Sequence, residues 1–134
     1  MKEALKISNR IESVLSRNLA PVGWQRYPGP GSERIGFGCC YPAAEALYHL
    51  WGKKHGFKPY KAEVNTKDRG WVTHYFLKHR NGTILDPTAN QFPAHISYAS
   101  SQPEPFVPAK PSKLCLEIFR RMKVRLRSET GAGL

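Results

Sequence analysis

No stretch of this sequence approaches the roughly 18 consecutive apolar residues that a membrane-spanning helix needs. Residues Met1 to Leu19 also lack the apolar block and cleavage pattern of a secretory signal peptide. No membrane partner is expected. Cysteine is scarce. Cys39, Cys40 and Cys115 are an odd number with two of them adjacent, which is not a disulfide framework. That usage favours a reducing compartment, the cytoplasm of a cell or of an infected host. There is no internal repeat and no long charged block. The Gly/Pro-rich stretch 27–38 is irregular by composition and lacks the Gly-Lys-Ser/Thr ending of a phosphate-cradling loop. Cys39, Cys40, His49 and His55 match no usual zinc-knuckle spacing, so neither a metal nor another cofactor is expected. Acidic residues are few, 10 against 21 Lys and Arg, for a net charge of +11.

What is present suits one compact domain over residues 1–134, with 40% hydrophobic residues to form its core. Leu5, Ile7, Ile11, Val14, Leu15 and Leu19 recur at near-helical spacing and predict an amphipathic helix over 3–19, ended by Pro21 and Gly23. A second helix is expected from Tyr41 to Lys54, with Pro42 in its first turn, where a missing N–H costs nothing, and Gly56 as its stop. Three strands follow, at Tyr60 to Asn65, Trp71 to His79 and Thr83 to Asp86. Residues 93–111 carry Pro93, Pro103, Pro105, Pro108 and Pro111 and read as a loop that is a structured surface wrap, a lid or partly mobile. A last helix is expected over Ser112 to Leu126, and the tail 128–134 should fray. The fold class is α+β: a helix on a small antiparallel sheet, flanked by N- and C-terminal helices.

The turn between the second and third strands decides how their side chains meet. A two-residue Asn81-Gly82 turn pairs Leu77 with Asp86 and sends His74 and Asp86 to opposite faces. A three-residue Arg80-Asn81-Gly82 loop, with Gly82 in a left-handed bulge, pairs Phe76 with Asp86. His74 and Asp86 then become diagonal neighbours, about 7–8 Å apart by backbone and in side-chain reach.

That arrangement matters because of Cys40. An unperturbed thiol is mostly protonated at neutral pH, and a helix N-terminus lowers its pKa through oriented N–H groups. A histidine takes the thiol proton and later delivers it to a leaving group, and a carboxylate on the other ring nitrogen fixes the tautomer and stabilises the imidazolium. Cys40, His74 and Asp86 occur in that order on a helix start and two strands. The Cys40 backbone N–H is placed to serve a developing oxyanion. Gln25 and Trp24, in the preceding loop, are candidates for the second donor.

The segments Gly-Cys-Cys-Tyr-x-Ala-Ala-Glu-Ala-Leu, His-Tyr-Phe-Leu and Gly-Thr-Ile-Leu-Asp-Pro-Thr lie within about residues 36–92. Together they resemble the Cys–His–Asp pattern of the transglutaminase-like branch of papain-like cysteine enzymes, a group with small phage-encoded members. The resemblance implies Cys40 as nucleophile, His74 as base and Asp86 as its orienter. It also implies a hydrolase or acyltransferase that acts on an amide, isopeptide or thioester bond of a protein or peptide. Cys39 leaves the nucleophile open by one position and is also a candidate for the oxyanion or substrate contacts.

Plainer readings stand beside these. Cys40 reads also as a small buried apolar residue, His74 as a packed strand residue, and Asp86-Pro87-Thr88 as a helix cap with a first-turn proline. Glu45 reads as a first-turn residue that complements the helix dipole. His49, His55, His79 and His95 read as packing or surface histidines. The C-terminal stretch 110–127 has Glu117 as its only acid, against Lys110, Lys113, Arg120, Arg121, Lys123, Arg125 and Arg127. The alternative function is therefore a non-enzymatic module whose basic helix, through Arg120, Arg121, Lys123 and Arg125, docks on nucleic acid or an acidic protein.

Overall fold

The structure is a computed structural model that describes residues 1–19, 38–66, 70–89, 96–104 and 109–123. Its helices are α1 (Lys2–Val14), α2 (Cys40–Leu50) and α3 (Lys113–Arg121). Its strands are β1 (Phe57–Thr66), β2 (Gly70–His79), β3 (Ile84–Leu85) and β4 (Gln102–Pro103). The fold is α+β, and the four strands form one antiparallel sheet in the order β3-β2-β1-β4. Among the described residues no helix is long and apolar enough to cross a membrane. The expectations for Trp24, Gln25, Arg125 and the tail 128–134 lie outside the described residues.

Pairing partners fix the two faces of the sheet, since side chains alternate along a strand. Lys61 opposes Tyr75, Pro59 opposes Leu77, and Leu77 opposes Leu85. This face lies under α2, where Phe57, Leu77 and Leu85 join Ala43, Ala46, Leu47 and Trp51 in the main core. Ile11 of α1 and Cys115, Ile118 and Phe119 of α3 close the same core from the helix side. The alanines of α2 are fully buried, which is how the helix approaches its neighbours closely. The other face carries Ala62, Val64, Val72, His74 and Phe76, and segment 96–104 covers it: Val64 packs with Ile96, and Phe76 meets the Tyr98 ring edge-on at 4.9 Å.

Several element boundaries differ from the sequence expectation. The first helix ends at Val14 because Leu15 turns extended (ψ 144°), and Leu19 reaches the core from a 3-10 turn at Arg17–Leu19. The second helix stops at Leu50, and a 3-10 turn at Gly52–His55 takes its place before Gly56. The first strand begins at Phe57 and holds Pro59 inside it. The Pro59 carbonyl accepts from the Glu104 N–H at 3.0 Å, so the ring nitrogen also points to the β4 side, just past the end of that two-residue strand, and the β1–β2 ladder loses no donor. Strand β4 itself went unanticipated because Pro103 sits in it. The last helix does not run to Leu126: Met122 closes it, and Lys123 at φ 59° has left the helical region. Its start is as expected, with Ser112 Oγ capping the Cys115 N–H at 3.3 Å.

Candidate active site

The hairpin adopts the three-residue register. Leu77 pairs with Leu85 and Lys78 with Ile84, which brings Phe76 opposite Asp86. His79 donates to the Thr83 carbonyl at 2.9 Å and accepts from the Gly82 N–H at 2.8 Å, and Gly82 sits at φ 96°. This is the bulged turn, and it needs glycine at the left-handed position. Asn81 Oδ1 supports it by accepting from the Thr83 N–H at 2.9 Å.

His74 and Asp86 therefore share a face and meet, with Nε2 to Oδ2 at 2.6 Å. The His74 side chain is fully buried and that of Asp86 is 4% exposed, so their attraction is little screened by water. Asp86 has two further donors. The Thr88 N–H reaches Oδ1 at 3.2 Å, and the Tyr98 hydroxyl reaches Oδ2 at 2.6 Å. Pro87 and Thr88 form a turn that leads into a 3-10 residue at Ala89, so Asp86 also serves as the cap of this turn.

Cys40 is the first residue of α2, with Cys39 as N-cap, and the Ala43 N–H closes the first turn on the Cys39 carbonyl at 3.0 Å. Gly38 at φ 73° lets the chain enter this turn. Tyr41 meets Tyr75 edge-on at 5.3 Å and holds the helix start against β2. The Cys40 sulfur lies 4.0 Å from the Thr73 carbonyl oxygen. His79 turns both its backbone groups toward β3, so by alternation Thr73 turns its carbonyl to the same edge, beyond the end of β3. The thiol thus reaches His74 around the edge of β2 beyond the end of β3, because His74 itself faces away from α2.

Burial of the imidazole disfavours its charged form. Hydrogen bonding to Asp86 and to the Cys40 thiol, with the charges of both, outweighs this, and the His74 pKa is raised to about 9. Nε2 is taken by Asp86, which leaves Nδ1 for the sulfur.

Cys39 separates from Cys40. The residue is buried, and its thiol donates to the Ser16 carbonyl at 3.3 Å. Burial, then the neighbouring Cys40, pushes its thiol up to about 12. Cys115 is fully buried, and burial, then Glu45, raises its pKa as well. All three cysteines are free.

The basic surface changes too. Arg120 is exposed and pairs with Glu117, and Lys123 is exposed. Arg121 is half-buried and engaged within the fold. Its guanidinium donates to Glu117, the Val14 carbonyl, Ser16 Oγ and Asn18 Oδ1, and so ties α3 to the end of α1. Arg120 and Arg121 hold the Glu117 carboxyl well below the usual range, at about 2.

Two residues escaped the sequence reading. Glu45 is fully buried and accepts from the Ser112 N–H at 2.7 Å and from its hydroxyl, so it clamps α2 to the start of α3 rather than complementing a dipole. Tyr98 was hidden in a proline-rich segment with no periodicity. Its signal was being a lone aromatic among serines and alanine. Of the remaining histidines, His55 stacks on Trp51 at 3.8 Å, and His79 Nδ1 accepts from the Asn81 N–H. No group of three or more His, Cys, Asp or Glu among the described residues is placed to hold a metal ion.

Comparison with protein-family models, curated proteins and solved structures gave no match for this chain.

Proposed function

We propose that the protein is a cysteine-dependent hydrolase or acyltransferase of the papain-like/transglutaminase-like kind, acting on an amide, isopeptide or thioester bond of a protein or peptide. The observation that supports this best is the buried His74–Asp86 contact at 2.6 Å with the Cys40 thiol as the imidazole's other partner. A scaffold histidine needs a partner for burial. It does not need a thiol at a helix N-terminus on its second nitrogen.

In the proposed reaction the Cys40 proton moves to His74 Nδ1, and the thiolate attacks the substrate carbonyl carbon. The C–S bond forms as the carbonyl π pair moves onto oxygen, and in this reading the Cys40 N–H donates to that oxyanion. The imidazolium, held by Asp86, gives its proton to the leaving amine or thiol as the scissile bond breaks. An acyl-thioester remains on Cys40. Water or an amine then adds, losing its proton to His74, and the C–S bond breaks. A thiol nucleophile of this kind suits a reducing compartment such as the cytoplasm.

The test is alkylation by iodoacetamide with mass mapping, alongside turnover of a panel of amide, isopeptide and thioester peptides. Cys40 should react fastest near neutral pH, and Cys40→Ala should lose all turnover. Turnover that survives in Cys40→Ala rejects the mechanism. The basic-module alternative keeps only Arg120 and Lys123 as exposed cations among its described candidates, which leaves it the weaker reading.

A further inference from the structure

The triad carboxylate has more company than a Cys–His–Asp site requires. Oδ2 of Asp86, the oxygen that receives His74 Nε2, also receives the Tyr98 hydroxyl, each at 2.6 Å. Two donors on one oxygen of a nearly buried carboxylate compete for its charge. The hydroxyl also restricts where that oxygen can sit. Tyr98 comes from segment 96–104, which crosses the sheet face opposite α2 and is built to stay there. The Tyr98 N–H donates to the Ile96 carbonyl at 3.1 Å, and Ser101 Oγ donates to the Tyr98 carbonyl at 2.6 Å. Farther along, Gln102 and Pro103 pair with β1, and Glu104 pairs with Lys61 at 3.0 Å. The ring itself lies edge-on to Phe76.

The geometry points to Tyr98 as a positioning residue for the Cys40–His74–Asp86 site, delivered by the strap 96–104. It sets the direction of the carboxylate and limits how strongly Asp86 draws the His74 proton. This rests on the thiol-enzyme reading for its consequence in catalysis, but not for the coupling itself. A tyrosine that served only to cover the sheet would need its ring against Phe76 and any acceptor for its hydroxyl, whereas this hydroxyl bonds the same oxygen that receives His74. Burial, then the adjacent Asp86, holds the Tyr98 hydroxyl in its protonated form, so it stays a donor.

The discriminating variant is Tyr98→Phe, which keeps the ring and removes the donor. The readout is the His74 imidazole midpoint, followed by NMR in the full chain. Among the described residues, the titratable groups that act on this imidazole are Asp86 from the hairpin and Cys40 from α2, with Tyr98 acting through Asp86. With Oδ2 released to His74 alone, the imidazolium binds its proton more tightly. The midpoint should rise by about half a pH unit, or about threefold in proton affinity. Ser101→Ala loosens the same turn without touching Asp86 and should leave the midpoint unmoved. An unmoved midpoint in Tyr98→Phe, or an equal shift in Ser101→Ala, overturns the assignment.

Should Tyr98→Phe fail to fold, ultraviolet titration of Asp86→Asn decides. One tyrosine that titrates anomalously high in the wild type should move toward the ordinary range. No movement rejects the coupling. The two readings fail separately. If Cys40 alkylates no faster than a free thiol while the His74 midpoint still answers to Tyr98, the enzyme reading falls and the positioning role stands. A reactive Cys40 with an unresponsive midpoint gives the reverse.

Discussion

His74 Nε2 and Asp86 Oδ2 lie 2.6 Å apart because the loop between their strands has three residues and not two. One residue fewer would shift the register and turn Asp86 to the α2 face, since side chains alternate strictly along a strand. The chemistry proposed for the site therefore depends on a turn that contributes no side chain to it. Asp86 both fixes the imidazole's orientation and favours its charged form.

Asp86→Asn tests that dual role. Burial lowers the His74 pKa, and the bond to the Asp86 carboxylate is what chiefly overcomes it to reach about 9 from 6.5. The amide occupies the same space but carries no charge, so burial is no longer outweighed in this way. The midpoint should fall by more than about one pH unit by NMR. If turnover is measurable, kcat should drop by roughly 10²–10⁴, the range expected when a charged orienter is lost.

Cysteine reactivity should be sharply selective. A free thiol near pKa 8.5 is about 3% thiolate at pH 7, so a thiol that can hand its proton to a neighbouring imidazole has room to alkylate up to about 30-fold faster, and Cys40, hydrogen-bonded to His74, is the cysteine that should do so. Cys39, pushed up to about 12, and the buried Cys115 should stay unlabelled until the protein is denatured. Peptide mapping after brief iodoacetamide exposure reads all three at once. His74→Ala should erase the advantage of Cys40.

The hairpin glycine gives a stability test that is independent of chemistry. A methyl group at Gly82 would meet nothing within 4 Å, so Gly82→Ala suffers only from φ 96°, where side chains are disfavoured. The expected loss is about 1 kcal/mol by urea unfolding. A change near zero would mean that the bulge is not held in this geometry.

Much of this site was legible from residues 38–86, and the reasons differ by element. The Gly-Cys-Cys-Tyr-Pro start and the Asn81-Gly82 turn are local signals, fixed by backbone sterics, so the helix start and the register followed from them. The edge approach of Cys40 to His74 was not legible. It depends on β3 stopping after Leu85, and strand length is set by what the chain does next rather than by alternation. Tyr98 and Glu45 act through partners 12 and 67 positions away, at Asp86 and Ser112, and no periodicity encodes such pairs. Arg121 read as surface charge because composition does not show that Val14, Ser16 and Asn18 surround it with acceptors.

Stability should fall as pH rises through the neutral range. The His74 pKa is higher folded, about 9, than its ordinary 6.5, so the folded state holds a proton that the unfolded chain releases. This stabilisation is complete below pH 6.5 and is lost between 6.5 and 9. Its ceiling is about 3 kcal/mol, at roughly 1.4 kcal/mol for each pH unit that separates the folded and unfolded midpoints. Glu117 works in the opposite direction. Its lowered pKa stabilises above about 4.5, and that contribution fades as pH falls toward 2. Urea midpoints measured at pH 6.5 and 9 should show the first slope, and Asp86→Asn should flatten it.

Glu45 should prove structural. Its buried carboxylate satisfies both the N–H and the hydroxyl of Ser112, the cap of α3, and these two bonds fix that helix against α2. Glu45→Ala removes two charge-assisted bonds and leaves a buried N–H without its partner, at a cost of about 2–4 kcal/mol. Ser112→Ala should be comparably harmful, because it leaves part of a buried carboxylate unsatisfied. Since Glu45 lies in α2 a turn beyond Cys40, the folded fraction of Glu45→Ala should still alkylate at Cys40 at nearly the wild-type rate. A variant of full stability would remove the clamp, while a stable but unreactive one would place Glu45 in the chemistry after all.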